Sequence, residues 1–351
     1  MPRPTFAAPP PSPAVIDAPS HITIEDLAPG VVAVTRNEPL GLANHANSIF
    51  IIGDSSVVVV DAQFTWAATE EVVAALKART DKPVRYLVNT HWHDDHLFGN
   101  TVWRRHYPGV VIVSHEKTRE DLSSIGAENR KGQLEGGPEA VTMFEDAMKN
   151  KVTMEGTPMS PAELDAYRST VDIARQYIAE APGNDPPLPD LVFRDRMTIY
   201  QGNRAIELRY FGEGITRGDA VVWLPAEKIA VTGDLFNVPF PFAYGCHPTA
   251  WIAALSGIRE LGPAILVPGH GPVQRDLIAL NRQAAALAAI REAAVTAVAN
   301  GVTEEAFRQS VTLEDYRQPM TGENKMLGFL FRSYFAGPAA AAAFREVSAA
   351  R

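Results

Sequence analysis

Five metal-binding side chains stand within six residues of this sequence, in the segment HWHDDH at residues 91–96. The segment directly follows a short apolar run that is typical of a buried strand. At the end of a strand, residues i and i+2 lie on the same side, so His91 and His93 can face one ion. A turn after them directs Asp95 and His96 to a neighbouring position. Imidazole nitrogens and carboxylates are ligands that suit Zn²⁺ and similar transition metals, so the segment predicts a metal site.

Two later segments have the same form, a short apolar strand that ends in a tight turn with one polar residue. The segment AVTGD at 230–234 presents Asp234, and the segment LVPGHG at 266–271 presents His270. Glycine beside the polar residue permits the sharp turn. Asp234 alone is a weak signal, because aspartate is common in turns. His270 is a stronger candidate, because a histidine between two glycines has no propensity reason to be there.

Taken together, these segments resemble the metallo-β-lactamase superfamily. The motif His-x-His-x-Asp-His is complete at 91–96, Thr-Gly-Asp stands at 232–234, and Pro-Gly-His-Gly stands at 268–271. The stretch GDAVVWLP at 218–225 also looks like the family's, and the resemblance covers roughly residues 25 to 275 in the family's order. It implies an α+β fold, the four-layer αββα sandwich, with metal ions at one edge of the two packed sheets.

The resemblance also implies a role for each ligand. His91 and His93 would serve a first metal, the second would take Asp95, His96 and His270, and Asp234 would bridge both. We expect Zn²⁺, as one or two ions, while iron and manganese stay open because similar ligands suit them.

One position departs from the family's pattern. The family's third histidine for the first metal stands in Gly-His-Thr-x-Gly-Asp, but this chain reads GITRGD at 214–219, and Ile215 cannot bind a metal. The first site is therefore expected to be atypical and weaker. The residues weighed as replacements are Glu213, His45, Cys246 and His247, although pocket lining or surface is the favoured role for them. The residues expected to line a substrate pocket are Ile215, Tyr244 and His247.

The expected function is a metal-dependent hydrolase that uses metal-activated water on a small acyl substrate, such as a lactone, an ester or a β-lactam. Asp95 is the expected catalytic residue, because beside its role as a ligand it can orient the nucleophile or transfer a proton. A hydrolase with one metal on Asp95, His96 and His270 is an alternative. A metal-binding relative without turnover is another, and an iron-dependent redox protein is less favoured.

The charge composition limits which classes of molecule the protein is expected to bind. The chain carries 41 acidic and 32 basic side chains, a formal charge of −9. Nucleic acids and anionic membranes both attract basic surfaces, so the charge argues against both and favours a small-molecule substrate. No apolar run reaches the roughly 18 to 20 residues that span a bilayer. The single cysteine, Cys246, permits no disulfide within the chain.

The chain divides into four predicted parts. Residues 1–20, rich in Pro and Ala, are expected to be a flexible leader, because they lack the apolar core of a signal peptide. They can also be the start of an exported protein after removal of its signal, so cytoplasm and periplasm both stay open. Residues 21–275 form the metallo-β-lactamase-like domain, and a helical insertion at about 116–190 lies where it can roof the cleft. Residues 276–351 form a helical extension that packs on the same domain or, alternatively, makes a homodimer surface.

Periodicity and composition predict the individual elements. The predicted strands lie at 31–35, 48–53, 56–61, 84–89, 110–114, 197–200, 205–211, 220–224, 229–232 and 265–267. The predicted helices lie at 69–78, 139–149, 161–179 and through the C-terminal extension. Gly301 and the pair Gly337-Pro338 are expected to break that extension.

Overall fold

The computed structural model describes residues 21–350, so the predicted leader at 1–20 lies outside the described residues. Within this range twelve strands form two sheets. The strands are β1 Ile22–Ala28, β2 Val31–Arg36, β3 Ser48–Ile52, β4 Val57–Val60, β5 Val84–Val88, β6 Val111–His115, β7 Leu191–Phe193, β8 Arg196–Gln201, β9 Arg204–Tyr210, β10 Ala220–Leu224, β11 Ile229–Val231 and β12 Ile265–Val267. The first sheet has the order β1 to β7, and the second has the order β12-β11-β10-β9-β8.

Helices cover the outer faces of both sheets. They are α1 Trp66–Lys77, α2 Asp94–Leu97, α3 Asn100–His106, α4 Glu116–Leu122, α5 Ile125–Asn150, α6 Pro161–Glu180, α7 Pro248–Glu260, α8 Ile278–Ala299, α9 Glu304–Ser310, α10 Glu314–Thr321, α11 Lys325–Leu330 and α12 Gly337–Ala349. Among residues 21–350, none of the helices is long and apolar enough to cross a membrane.

Three hydrophobic cores separate the four layers. Strand β4 consists of four valines that are all buried, and its side chains alternate between two of these cores. Val58 and Val60 pack between the two sheets, where they join Leu208 of the second sheet. Val57 and Val59 face the helices α1 and α3 on the outside of the first sheet. The third core lies on the outer face of the second sheet, under α7, α8 and α12. The expected αββα sandwich is therefore confirmed.

Parallel pairing brings the sequence motifs to one edge of the sandwich. In the first sheet β4, β5 and β6 pair in parallel, and in the second sheet β11 pairs in parallel with β12. The carboxyl ends of these strands lead into Asp61, the segment 91–96, Asp234 and the turn at 268–271. The Asn47 N–H donates to the carbonyl of Gly269 over 2.7 Å and joins the two sheets at this edge.

Helix α5 is much longer than the 139–149 predicted for it. Its first half contains Gly126, Gly132, Gly136 and Gly137 followed by Pro138, residues that disfavour a helix. The helix nevertheless begins at Ile125, because it packs along α6, where Phe144 meets Tyr167 edge to face at 5.5 Å. Tertiary packing therefore outweighs local propensity there.

The prediction of a break at Gly337-Pro338 is wrong, whereas Gly301, with φ of 70°, does separate α8 from α9. Residues Phe331–Ala336 form a π-helical segment that continues directly into α12. Pro338 is the second residue of α12 and follows the π-helical segment directly, so it does not interrupt the helix. The π-helical segment and α12 both pack in the core that covers the second sheet.

Candidate metal centre

The HWHDDH segment leaves β5 and enters the single turn of α2. His93 is the N-cap of this turn, with extended backbone, and the helix then begins at Asp94. The expected division, with His91 and His93 at one ion and Asp95 and His96 at the next, is not what the structure shows, because the ring of His96 lies 4.2 Å from that of His91 and takes part in both clusters.

The structure brings five of the six predicted ligands into two clusters that share His96 and meet at Asp234. In the first cluster, ligand atoms of His91, His96 and Asp234 lie within 4.8 Å of one another. The second contains Asp95, His96 and His270. His270 Nε2 lies 2.9 Å from Asp95 Oδ2 and 3.5 Å from Asp234 Oδ1, so Asp234 stands between both clusters.

His93 lies beside these clusters but belongs to neither. Its ring centroid is 4.6 Å from that of His91, and it lines the adjoining cavity together with Phe242, whose ring is 6.0 Å away. The residue stands at the edge of the first cluster, on the wall of this cavity.

The clustered atoms fit a metal ion. His91 Nε2, His96 Nε2 and Asp234 Oδ1 are buried without a hydrogen-bond partner. His96 Nε2 lies 3.2 Å from Asp234 Oδ1, but the two atoms do not meet in hydrogen-bonding geometry. Buried polar atoms without a partner are costly and rare, so three of them converging on one point indicate a cation that satisfies them.

Each clustered histidine is oriented by a hydrogen bond on its other nitrogen. His91 Nδ1 lies 3.1 Å from Thr90 Oγ1, and His96 Nδ1 lies 2.7 Å from Asp61 Oδ2. His270 Nδ1 donates to the main-chain carbonyl of His45 over 3.0 Å. Such contacts fix the ring and the tautomer, and here they leave Nε2 of His91 and His96 without a hydrogen-bond partner, while Nε2 of His270 faces Asp95.

Asp61 is a residue of the candidate site that the sequence reasoning missed. Its carboxylate accepts from the Thr90 N–H and from Thr90 Oγ1, both over 2.8 Å, in addition to its contact with His96. It adopts a left-handed backbone conformation with φ of 56°, which is uncommon outside glycine. The available signal was an aspartate directly after the four valines of β4, the same pattern that identified Asp234.

Burial and charge divide the ligands into two electrostatic groups. Burial lowers the pKa of His91 and of His93, which favours the neutral rings that metals bind. Although burial on its own would lower it, the pKa of His96 and of His270 is raised, because the negative charges of the neighbouring carboxylates outweigh that effect. Burial on its own would raise the pKa of Asp95, but that pKa is lowered, because the charges of His96 and His270 outweigh the effect of burial.

Two glycines permit the close approach of the motif turns. Gly233 has φ of 50°, and a Cβ there would lie 2.5 Å from Thr90 Oγ1. A Cβ on Gly269 would lie 2.1 Å from Asp234 Oδ1, so any side chain would push this ligand away. The Pro-Gly-His-Gly turn therefore needs its first glycine to bring His270 beside Asp234.

Ile215, the residue in place of the expected histidine, lies in the hydrophobic core and is 1% exposed. It packs in the cluster that contains Leu235 and Trp251, and it is not among the residues that line the cavity. The loop is held by Asp219, which accepts from Thr216 N over 2.8 Å and from Thr216 Oγ1 over 2.9 Å. Burial raises the pKa of Asp219 to about 8.

The four residues weighed as replacements for that histidine lie outside both clusters. Cys246 is buried in the core, and burial raises the pKa of its thiol to about 12. His247 Nδ1 lies 3.3 Å from Glu213 Oε2, in a partly exposed pair away from the cavity wall. His45 is buried, and its main-chain carbonyl accepts the hydrogen bond from His270 Nδ1.

A cavity of about 840 Å³ opens beside the clusters. Asp95, Asp234 and His270 line it, together with the predicted pocket residue Tyr244. Its walls come from α5 and α6, the loops at 40–44 and 240–245, and two residues of the C-terminal extension, so the helices between β6 and β7 do roof the space beside the ligands.

A buried ion pair ties this roof to the metal-binding segment. Asp94 accepts two hydrogen bonds from Arg130 of α5, at 2.7 and 3.0 Å, and both side chains are 5% exposed. Tyr177 of α6 donates to the same carboxylate. Nothing in the sequence indicated this role for Asp94, whose carboxylate anchors both roof helices.

The family model described as Metallo-beta-lactamase superfamily matches residues 42–270. The chain belongs to this superfamily. The protein named Metallo-beta-lactamase type 2 from Bacteroides fragilis is 28% identical over 112 residues, which are 30% of this chain and 42% of that protein. Linear primary-alkylsulfatase from Pseudomonas sp. (strain ATCC 19151) is 22% identical over 256 residues, 66% of this chain and 43% of that protein. The matches thus span less than half the length of these two relatives.

Solved structures share the fold at low sequence identity. A metallo-beta-lactamase from Pontibacter korlensis has a TM-score of 0.52 at 20% identity, and the match covers 76% of this chain and 99% of that one. A stereoselective inverting sec-alkylsulfatase from Pseudomonas sp. has a TM-score of 0.62 at 15% identity. That match covers 93% of this chain and 50% of the other, so the shared architecture extends well beyond the residues of the family match.

Proposed function

We propose that the chain is a zinc-dependent hydrolase that cleaves an ester-type bond, in a lactone or an open ester. The observation that carries this proposal is the convergence of Asp95, His96, Asp234 and His270 at a cavity large enough for a small molecule. Its superfamily consists mostly of metal-dependent hydrolases, which agrees with the proposal.

The most tightly held ion would lie with these four residues. The other set contains His91, His96 and Asp234, but it shares His96 and Asp234 with these four residues, and it has Ile215 in the sequence position of the family's third histidine. An ion there would have fewer ligands and would be held more weakly.

A bound divalent cation lowers the pKa of water from 15.7 to about 7 and so supplies a nucleophile at neutral pH. Asp95 would orient this water and carry a proton toward the leaving group, because its carboxylate both faces the cavity and contacts His270. Asp61 and the carbonyl of His45 would keep the ligand rings in place during turnover.

Elemental analysis of metal content tests the proposal, on protein purified without added metal and again after zinc loading. The parent is expected to hold about one zinc per chain together with hydrolysis of phenyl acetate or a γ-lactone. Ile215→His is expected to leave the content at about one, because residue 215 lies in the hydrophobic core and outside both clusters, and Ile215→Val, which keeps the core apolar, is the matched control. No zinc under either condition would refute the proposal, and zinc without hydrolysis of any ester would favour the binding protein without turnover.

A sulfate ester of an apolar alcohol is the second candidate substrate. The apolar walls of the cavity and the similarity to Linear primary-alkylsulfatase over 66% of the chain support it. Release of sulfate from decyl sulfate, measured by ion chromatography beside ester hydrolysis, separates the two candidates.

A further inference from the structure

Most of the cavity wall lies away from the ligands and is apolar. The wall includes the side chains of Leu42, Phe64, Ile125, Phe144, Ile178 and Leu330. Among the described residues that line it, the charged types are Asp94, Asp95, Asp234 and two histidines, and none is lysine or arginine. Asp234, whose Oδ1 is buried without a hydrogen-bond partner, lines the same space, so the apolar wall is continuous with the candidate metal centre.

Glycines on α5 open part of this wall. Gly132, Gly136 and Gly137 all line the cavity, although glycine inside a helix is destabilising relative to alanine. Gly137 has a packing role, because a Cβ there would lie 2.8 Å from Ile178 Cδ1. A Cβ on Gly132 or Gly136 would meet no atom within 4 Å. These two glycines are therefore not required by the packing of the roof; both are exposed and line the cavity, so they lie at its rim.

We infer that the cavity binds an elongated, uncharged apolar group of the substrate, an alkyl or aryl chain, and that Gly132 and Gly136 determine how large this group can be. This inference rests on the proposed function, because the ester of the same substrate would lie at the ligand clusters. An anionic group away from the ester would find no lysine or arginine on the cavity wall and would lose its hydration against apolar side chains, so substrates with a remote carboxylate are disfavoured. A β-lactam with its carboxylate is a poorer fit to this wall than a neutral ester.

The test is a series of p-nitrophenyl esters from acetate to decanoate, hydrolysed by the zinc-loaded enzyme. Each CH₂ that leaves water for an apolar environment is worth about 0.8 kcal/mol, a factor of about four, so kcat/KM is expected to rise up to fourfold per CH₂. Gly136→Leu is expected to lower the ratio of decanoate to acetate at least tenfold. Gly136→Ala adds one carbon, and Lys131→Leu adds a leucine to a side of the same helix that does not line the cavity, so both are expected to keep the parent's ratio.

A rate that does not rise with chain length in the parent would overturn the inference, and so would an unchanged ratio in Gly136→Leu. The mono-p-nitrophenyl ester of decanedioic acid is expected to react at least tenfold more slowly than the decanoate, and equal rates would contradict the absence of a cation. Calorimetric binding of decan-1-ol, which has no bond to cleave, separates this inference from the proposed function. Binding that Gly136→Leu abolishes, without hydrolysis of any ester, would refute the hydrolase and leave the apolar site standing.

Discussion

Replacement of Asp61 by asparagine is expected to weaken zinc binding although the residue would not touch the metal. Asparagine has the same shape and tolerates the left-handed conformation that Asp61 adopts at φ of 56°. The change therefore alters the hydrogen bonds of the side chain and leaves the backbone in place.

The consequence follows from the two oxygens of Asp61. Oδ2 accepts from His96 Nδ1 over 2.7 Å, and Oδ1 accepts from the Thr90 N–H over 2.8 Å. An amide nitrogen in place of Oδ2 would donate to His96 Nδ1 and move the ring proton to Nε2, the atom that must bind metal. If the amide is turned the other way, its NH₂ group faces the Thr90 N–H, and two hydrogen-bond donors then meet without an acceptor. Either arrangement removes a contact of the kind whose loss lowers metal affinity about 10- to 100-fold, or about 1.4 to 2.7 kcal/mol.

The assay is competition for zinc between the protein and a chromophoric chelator, on the parent, Asp61→Asn and the control Asp54→Asn. Asp54 lies at an exposed turn at the far end of β4, so its variant is expected to match the parent. Urea unfolding without metal shows whether each variant is folded. A folded Asp61→Asn with the parent's zinc affinity would refute the argument that this carboxylate orients His96.

Three further results are expected. Arg130→Met leaves the carboxylate of Asp94 buried without its cation and should lower the free energy of unfolding in urea by about 3–5 kcal/mol; a further Asp94→Asn change should recover part of the loss, and full additivity of the two changes would argue against the pair. Burial raises the pKa of the Cys246 thiol to about 12, so the folded protein at pH 8 should not react with a disulfide reagent, whereas the unfolded chain should show one reactive thiol. Rapid reaction of the folded protein would place Cys246 at the surface. Removal of metal by a chelator should lower the thermal unfolding midpoint, since a ligand at 1,000 times its Kd stabilises the native state by about 4.1 kcal/mol, and an unchanged midpoint would mean that no structural metal was bound.

The sequence alone determined the class of site and its position in the fold. Closely spaced histidines and aspartates after an apolar strand, and the turns around Asp234 and His270, are local patterns whose chemistry depends on residue type and spacing. The resemblance that these motifs carry implied the sandwich and the gathering of the ligands at one edge of it.

Only the tertiary structure decided which residues support and surround that site. Asp61 is distant in sequence from His96, the ligand histidine that it orients. The residues that anchor Asp94 of the metal-binding segment, Arg130 and Tyr177, are also distant in sequence, so these roles depend on contacts that only packing creates. The length of α5 is a similar case, because its glycines oppose a helix locally and its packing on α6 outweighs them. Ile215 was expected at the pocket, but the loop that Asp219 holds turns it into the core, since an apolar side chain gains more from burial there than from a place beside charged ligands.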